Sequence, residues 1–252
     1  MKVFSSILIL ELIAIIITGI TLLCIFSPRW RRWLWLLFLS NIPMSILGLF
    51  QSFNKSIGRS WLIDGIEIIL WSVSIFFLIR LAYRSARKYN IIPPFSWKFF
   101  RWGRTILGAF LLIGSQITLS ALWQNFVIHN SSNTTTSNQA SLNSLALMVP
   151  FVIYFLTTVL AGFFEELAFR VGIFEILLPK HKKWAFTVSV ILFASVHAPT
   201  NIISALIYGT MAIILTSFYF KYRNFYLNMS IHMLLNFVVS GLFFLSNILH
   251  LF

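Results

Sequence analysis

Apolar runs long enough to cross a bilayer follow one another along almost the whole chain, separated by short polar stretches. They cover roughly residues 4–26, 34–52, 61–79, 105–128, 147–178, 184–199, 201–220 and 225–249. A membrane helix needs about 20 consecutive apolar residues, so the pattern predicts an all-α, polytopic transmembrane helix bundle of about eight spans. No stretch between the runs is long and polar enough for a separate soluble domain. The expectation is one membrane domain over 1–252, with N-terminal helices in 1–128 and a second group of helices in 145–245. The first run follows a basic Met-Lys start and lacks a small-residue cleavage site before Ser27-Pro28-Arg29, which predicts a retained span.

The polar stretches carry the orientation. Arg29, Arg31 and Arg32 follow the first run, a dense basic segment from Arg80 to Arg104 follows the third, Lys180, Lys182 and Lys183 follow the fifth, and Lys221 and Arg223 follow the seventh. Alternate basic loops mark the cytoplasmic side. Residues 129–144 hold no Lys, Arg, Asp or Glu and belong outside; Lys55 and Arg59 are the exceptions there. The segment 85–104 reads as an interfacial helix or re-entry segment, broken from the third span by Pro93-Pro94.

Composition sharpens this picture. With 59% hydrophobic and 10% charged residues, the chain is a membrane protein rather than a soluble core. Its net charge of +13 sits beside apolar runs, so its partner is the lipid headgroup layer and not nucleic acid. The expected setting is a bacterial plasma membrane. Cys24 is the single cysteine, which excludes an internal disulfide and a zinc–thiolate cluster.

Acids are scarce: six in the whole chain, two of them adjacent, Glu165 and Glu166, inside the fifth run. A carboxylate at the centre of a membrane helix costs about 2.5–3.5 kcal/mol on insertion scales, so an acid pair there marks a functional site. Arg170 lies at i+4 from Glu166 and can pair with it, while Glu165 is rotated by about 100° and is free to face a cavity. Phe193 and His197 share i, i+4 spacing in the sixth run, as do His232 and Asn236 in the eighth. Counting from the nearest basic loops puts Glu165 and His197 roughly 20 Å deep, and His232 and Asn236 roughly 10–16 Å deep. Singly, each is an ordinary interhelical hydrogen bonder. Together they supply a base, an orienting partner and oxyanion donors.

Glu165-Glu166-x-x-x-Arg170, Phe193-x-x-x-His197 and His232-x-x-x-Asn236 resemble the three motifs of the CPBP (Abi) family. These are intramembrane type II CAAX-endopeptidase-like proteins, including bacteriocin-processing and self-immunity members. The resemblance covers about residues 145–245. It implies hydrolysis of a peptide bond in a membrane-associated or lipid-modified peptide or protein. Glu165 and His197 would activate water, with Glu166 sharing the acid work. His232 and Asn236 would stabilise the oxyanion, Arg170 would shape the site, and Phe193 would pack the helix of His197. No cofactor is required on this reading; a zinc ion held by Glu165, His197 and His232 is the alternative. The competing class is a non-proteolytic transporter or immunity protein that uses the buried acids as an ion path or peptide-binding site.

Overall fold

The computed structural model describes residues 18–22, 25–126 and 136–248. Most of the expected first span, with Glu11 and Cys24, lies outside these residues, as do His129 and His250. Among the described residues every regular element is helical. We label the helices α1 (Pro28–Ile57), α2 (Trp61–Lys88), α3 (Trp102–Phe126), α4 (Ser137–Met148), α5 (Phe151–Leu177), α6 (Lys182–Val196), α7 (Ile202–Tyr222) and α8 (Phe225–Ile248). Six of them, α1, α2, α3, α5, α7 and α8, are long and apolar enough to cross a membrane. The protein is an integral, multi-pass membrane protein.

Three expectations shift. The run at 184–199 becomes α6, a 15-residue helix, shorter than a full span. It stops because His197 leaves helical geometry, Ala198 takes positive φ and Pro199 follows. The run at 147–178 does not begin at 147: Pro150 starts α5, and the polar stretch before it is itself helical as α4, capped by Thr136 accepting from the Gln139 amide. The segment 85–104 is no interfacial helix. Helix α2 runs to Lys88, Pro93-Pro94 keep the chain irregular, and one 3₁₀ turn over Trp97–Phe99 precedes α3.

Helix α5 occupies the middle of the bundle and changes character along its length. From Phe151 to Glu165 it is α-helical; from Glu166 to Leu177 it winds more widely, as a π-helix with i→i+5 bonds. Such winding is rare and frequent at functional sites. Neighbouring side chains support it: Trp33 Nε1 donates to the Ala168 carbonyl (3.0 Å) and Ser189 Oγ to the Phe169 carbonyl (2.7 Å). Close approach is sequence-encoded at two glycines. A Cβ on Gly172 would lie 2.7 Å from Trp33, and one on Gly162 would lie 2.9 Å from the Met233 backbone nitrogen. Gly162 therefore lets α8 bring His232 against α5.

The two ends of the bundle differ. At one end the basic segments meet: Arg32 stacks on Tyr89, Arg104 on Tyr222, Asn224 donates to the Phe99 carbonyl, and Arg223 pairs with Glu175. At the other end α4 lies across the bundle. Its start meets Tyr208 of α7 through Thr136 and Asn138, and its end meets α1, where Asn54 donates to the Met148 carbonyl.

Candidate active site

The tandem acids divide at the point where α5 changes winding. Glu166 is fully buried and receives three donors. Arg170 donates to Oε1 at 3.0 Å, His232 Nδ1 to Oε1 at 2.9 Å, and Asn228 Nδ2 to Oε2 at 2.6 Å. Arg170, equally buried, also lies over the Phe193 ring at 4.1 Å. An ion pair this deep is tolerated only when its remaining groups are hydrogen-bonded or packed on a π-face. Glu165 points elsewhere. It lines a cavity of about 570 Å³ together with His197, His232 and Asn236. Its Oε2 is enclosed, makes no direct hydrogen bond, and sits 3.8 Å from His232 Nε2.

Each imidazole is fixed by its Nδ1. His197, just past the end of α6, has Nδ1 2.7 Å from the Phe193 carbonyl. A carbonyl only accepts, so Nδ1 carries the proton and Nε2 of the neutral ring is free to accept. The ring lies between Phe193 (4.7 Å) and Tyr208, which stacks on it at 4.6 Å. His232 is held by Glu166 as described, leaving its Nε2 toward Glu165. Asn236 donates one N–H to the Thr158 carbonyl (2.8 Å), and Thr158 in turn bonds Ser240 (2.8 Å). Phe193 is buried beneath these groups, in ring contact with His197 and His232.

Thus Glu165, His197, His232 and Asn236 face one cavity, whereas Glu166, Arg170 and Phe193 stand behind it. No group of three His, Cys, Asp or Glu among the described residues is arranged to hold a metal ion. Asp64 and Glu67, three residues apart on α2, do not share an interior. Asp64 pairs with Arg59 at the surface (2.7 Å), and Glu67 takes a hydrogen bond from Asn54 (3.2 Å). Sequence reasoning missed Asn228, Tyr208 and Thr158. Asn228 was findable, since Asn228, His232 and Asn236 repeat every four residues along one face of α8. Tyr208 and Thr158 carried no such signal.

A family model described as type II CAAX prenyl endopeptidase Rce1-like matches residues 147–238, the stretch that holds every residue named above as facing or backing the cavity at Glu165. The UPF0177 protein YvdC of Lactococcus lactis subsp. lactis is 40% identical over 212 residues, covering 84% of this chain and 77% of that protein. The chain belongs to the CPBP family of type II CAAX prenyl endopeptidase-like proteins. A UPF0177 protein in the abiGi 5′ region of Lactococcus lactis subsp. cremoris is 29% identical, covering 68% of each chain. UPF0177 protein YaiH of L. lactis subsp. lactis is 29% identical, covering 66% of each. No solved structure matches. CPBP membership places the chain among membrane-embedded proteases, and the bacterial relatives place it in the plasma membrane.

Proposed function

We propose that the protein is an intramembrane endopeptidase that hydrolyses a peptide bond with water activated by Glu165 and His197. One observation carries the reading. Four polar side chains, Glu165, His197, His232 and Asn236, contributed by three helices, face a single cavity, and the enclosed Oε2 of Glu165 makes no direct hydrogen bond, with His232 Nε2 3.8 Å away.

In this mechanism a water held by Glu165 and by Nε2 of His197 attacks the scissile carbonyl carbon, and its proton passes to Glu165. Negative charge gathers on the carbonyl oxygen, where the Nε2–H of protonated His232 and the second N–H of Asn236 donate to it. The C–N bond then breaks, and the proton on Glu165 goes to the leaving amine. Glu166 acts through His232: its carboxylate accepts from Nδ1 at 2.9 Å and fixes the ring with Nε2 toward the cavity. Arg170 and Asn228 keep that carboxylate in place. The substrate is a membrane-associated or lipid-modified peptide; bacteriocin processing or self-immunity is the setting that the family resemblance implies.

An ion path through the acids finds less support, because Glu166 and Arg170 bond to each other in a fully buried cluster away from the cavity. The test is incubation of detergent-purified protein with membrane peptides, read by mass spectrometry. New termini are expected with wild type and none with Glu165→Gln or His197→Ala. Equal cleavage by the folded variants removes those residues from the mechanism, and ion flux without cleavage favours the transport class.

A further inference from the structure

The cavity is not centred in the bundle: among the described residues its lining extends from Glu165 toward one end and not toward the other. Beneath Glu165, toward the basic end, α5 is walled by buried side chains, among them Phe164, Leu167, Phe174 and Phe225. None of the residues that line the cavity comes from the basic segments. Away from Glu165 the lining runs through Ser40 on α1 and Gln116 on α3 to Thr136, Asn138 and Gln139 at the start of α4. Helix α4, about 18 Å long at 1.5 Å per residue, crosses the end of the bundle opposite the basic segments. Among the described residues the only Lys or Arg near that end are Lys55 and Arg59. An asymmetry of this size orients a membrane protein with its basic end in the cytoplasm.

The lining chemistry is equally uneven. Among the described residues that line it, the cavity offers hydroxyls and carboxamides, and, the imidazoles aside, Glu165 is its one charged side chain. Neutral donors and acceptors of this kind suit the N–H and C=O groups of an extended peptide. An acidic side chain in the neutral stretch between Ser40 and Gln139, away from the two imidazoles, would meet no Lys or Arg and would lose its hydration without compensation.

We propose that the substrate enters from the non-cytoplasmic side, as an extended peptide segment free of acidic residues, and reaches Glu165 through the neutral cavity below α4. This rests on the hydrolytic reading for what happens at Glu165, but the access route stands or falls by itself. A cytoplasmic protein tail could not take this route.

The experiment uses the full chain with Cys24→Ser and one new cysteine: Ser40→Cys deep in the cavity, Gln139→Cys at its rim, or Lys182→Cys at the basic end. Right-side-out and inverted membrane vesicles are treated with a small, membrane-impermeant, cationic methanethiosulfonate. Ser40→Cys and Gln139→Cys are expected to react in right-side-out vesicles and Lys182→Cys only in inverted ones. Ser→Cys is close to isosteric, and labelling is read without any cleavage, so an inactive protein still reports the route. Reaction of Ser40→Cys only in inverted vesicles, or in neither, overturns the route. A neutral synthetic peptide of Ala, Leu, Ser and Asn is then added, against the same peptide with its central Asn changed to Asp. Slower labelling of Ser40→Cys by the neutral peptide alone supports the substrate class; equal protection by both, or by neither, overturns it.

Discussion

Helices α2 and α5 begin as similar sequences, long apolar runs that carry acids, two in α2 and three in α5, yet the bundle uses them differently. In the best apolar window of α5, 56% of residues are buried; in that of α2 the figure is 17%. Helix α5 sits among α1, α6 and α8, and each of its acids has a defined surrounding: Glu166 a set of three donors, Glu165 a cavity, and Glu175 the Tyr219 hydroxyl and the Arg223 guanidinium at the basic end. Helix α2 lies at the lipid-facing edge. Asp64 there reaches Arg59 near the helix start, and Glu67 is held by one amide. The helices touch through Trp71, whose Nε1 donates to Thr157 Oγ1 at 2.8 Å. Hydropathy and acid count alone do not mark chemistry; what matters is whether an acid is ringed by independent helices that supply donors and enclosed space.

The largest effect expected is on activity. Glu165→Gln keeps the shape of the side chain and removes its basicity, so kcat is expected to fall by about 10²–10⁴-fold, the usual share of general base catalysis. Thermal melting in detergent is expected to stay near wild type. A large loss of stability in this variant would make Glu165 a structural acid and erase the contrast with Glu67.

Next is Arg170→Met, which leaves Glu166 buried without its cation. Breaking a buried pair from one side costs about 3–5 kcal/mol, so both melting temperature and activity are expected to drop. Asn228→Leu removes one donor from Glu166 and one from the Leu215 carbonyl. A cost of about 1–3 kcal/mol is expected for unsatisfied buried acceptors. Its activity is also expected to fall, because Glu166 then holds His232 less firmly; cleavage equal to wild type by the folded variant would separate Glu166 from catalysis. The smallest effect belongs to α2: Glu67→Gln keeps the bond from Asn54, and a change under about 1 kcal/mol in stability is expected, with cleavage unaffected. A strong loss of activity would move the functional centre toward α2.

Much of this was legible in the chain. Apolar run length gives the membrane helices, since no other structure satisfies backbone groups in lipid. The i, i+4 spacing of Glu166 with Arg170 predicted their pairing, and the adjacency of Glu165 predicted that it would turn elsewhere. Other features depended on contacts between distant segments. The π-winding of α5 relies on Trp33 and Ser189, far away in sequence. The fate of Asp64 and Glu67 depended on Arg59 and Asn54. That α4 is a helix lying across the non-basic end follows from its bonds to Tyr208 and Asn54.

By itself, then, the sequence determined which residues are too polar for lipid and which helical face each occupies, because periodicity and desolvation are local properties. Only the tertiary structure decided which acid lies in a sealed ion cluster and which in open space, and at which end that space lies. Those outcomes depend on how close neighbouring helices come, and that distance is set by side chains far apart along the chain, such as Gly162 against Met233 and Gly172 against Trp33.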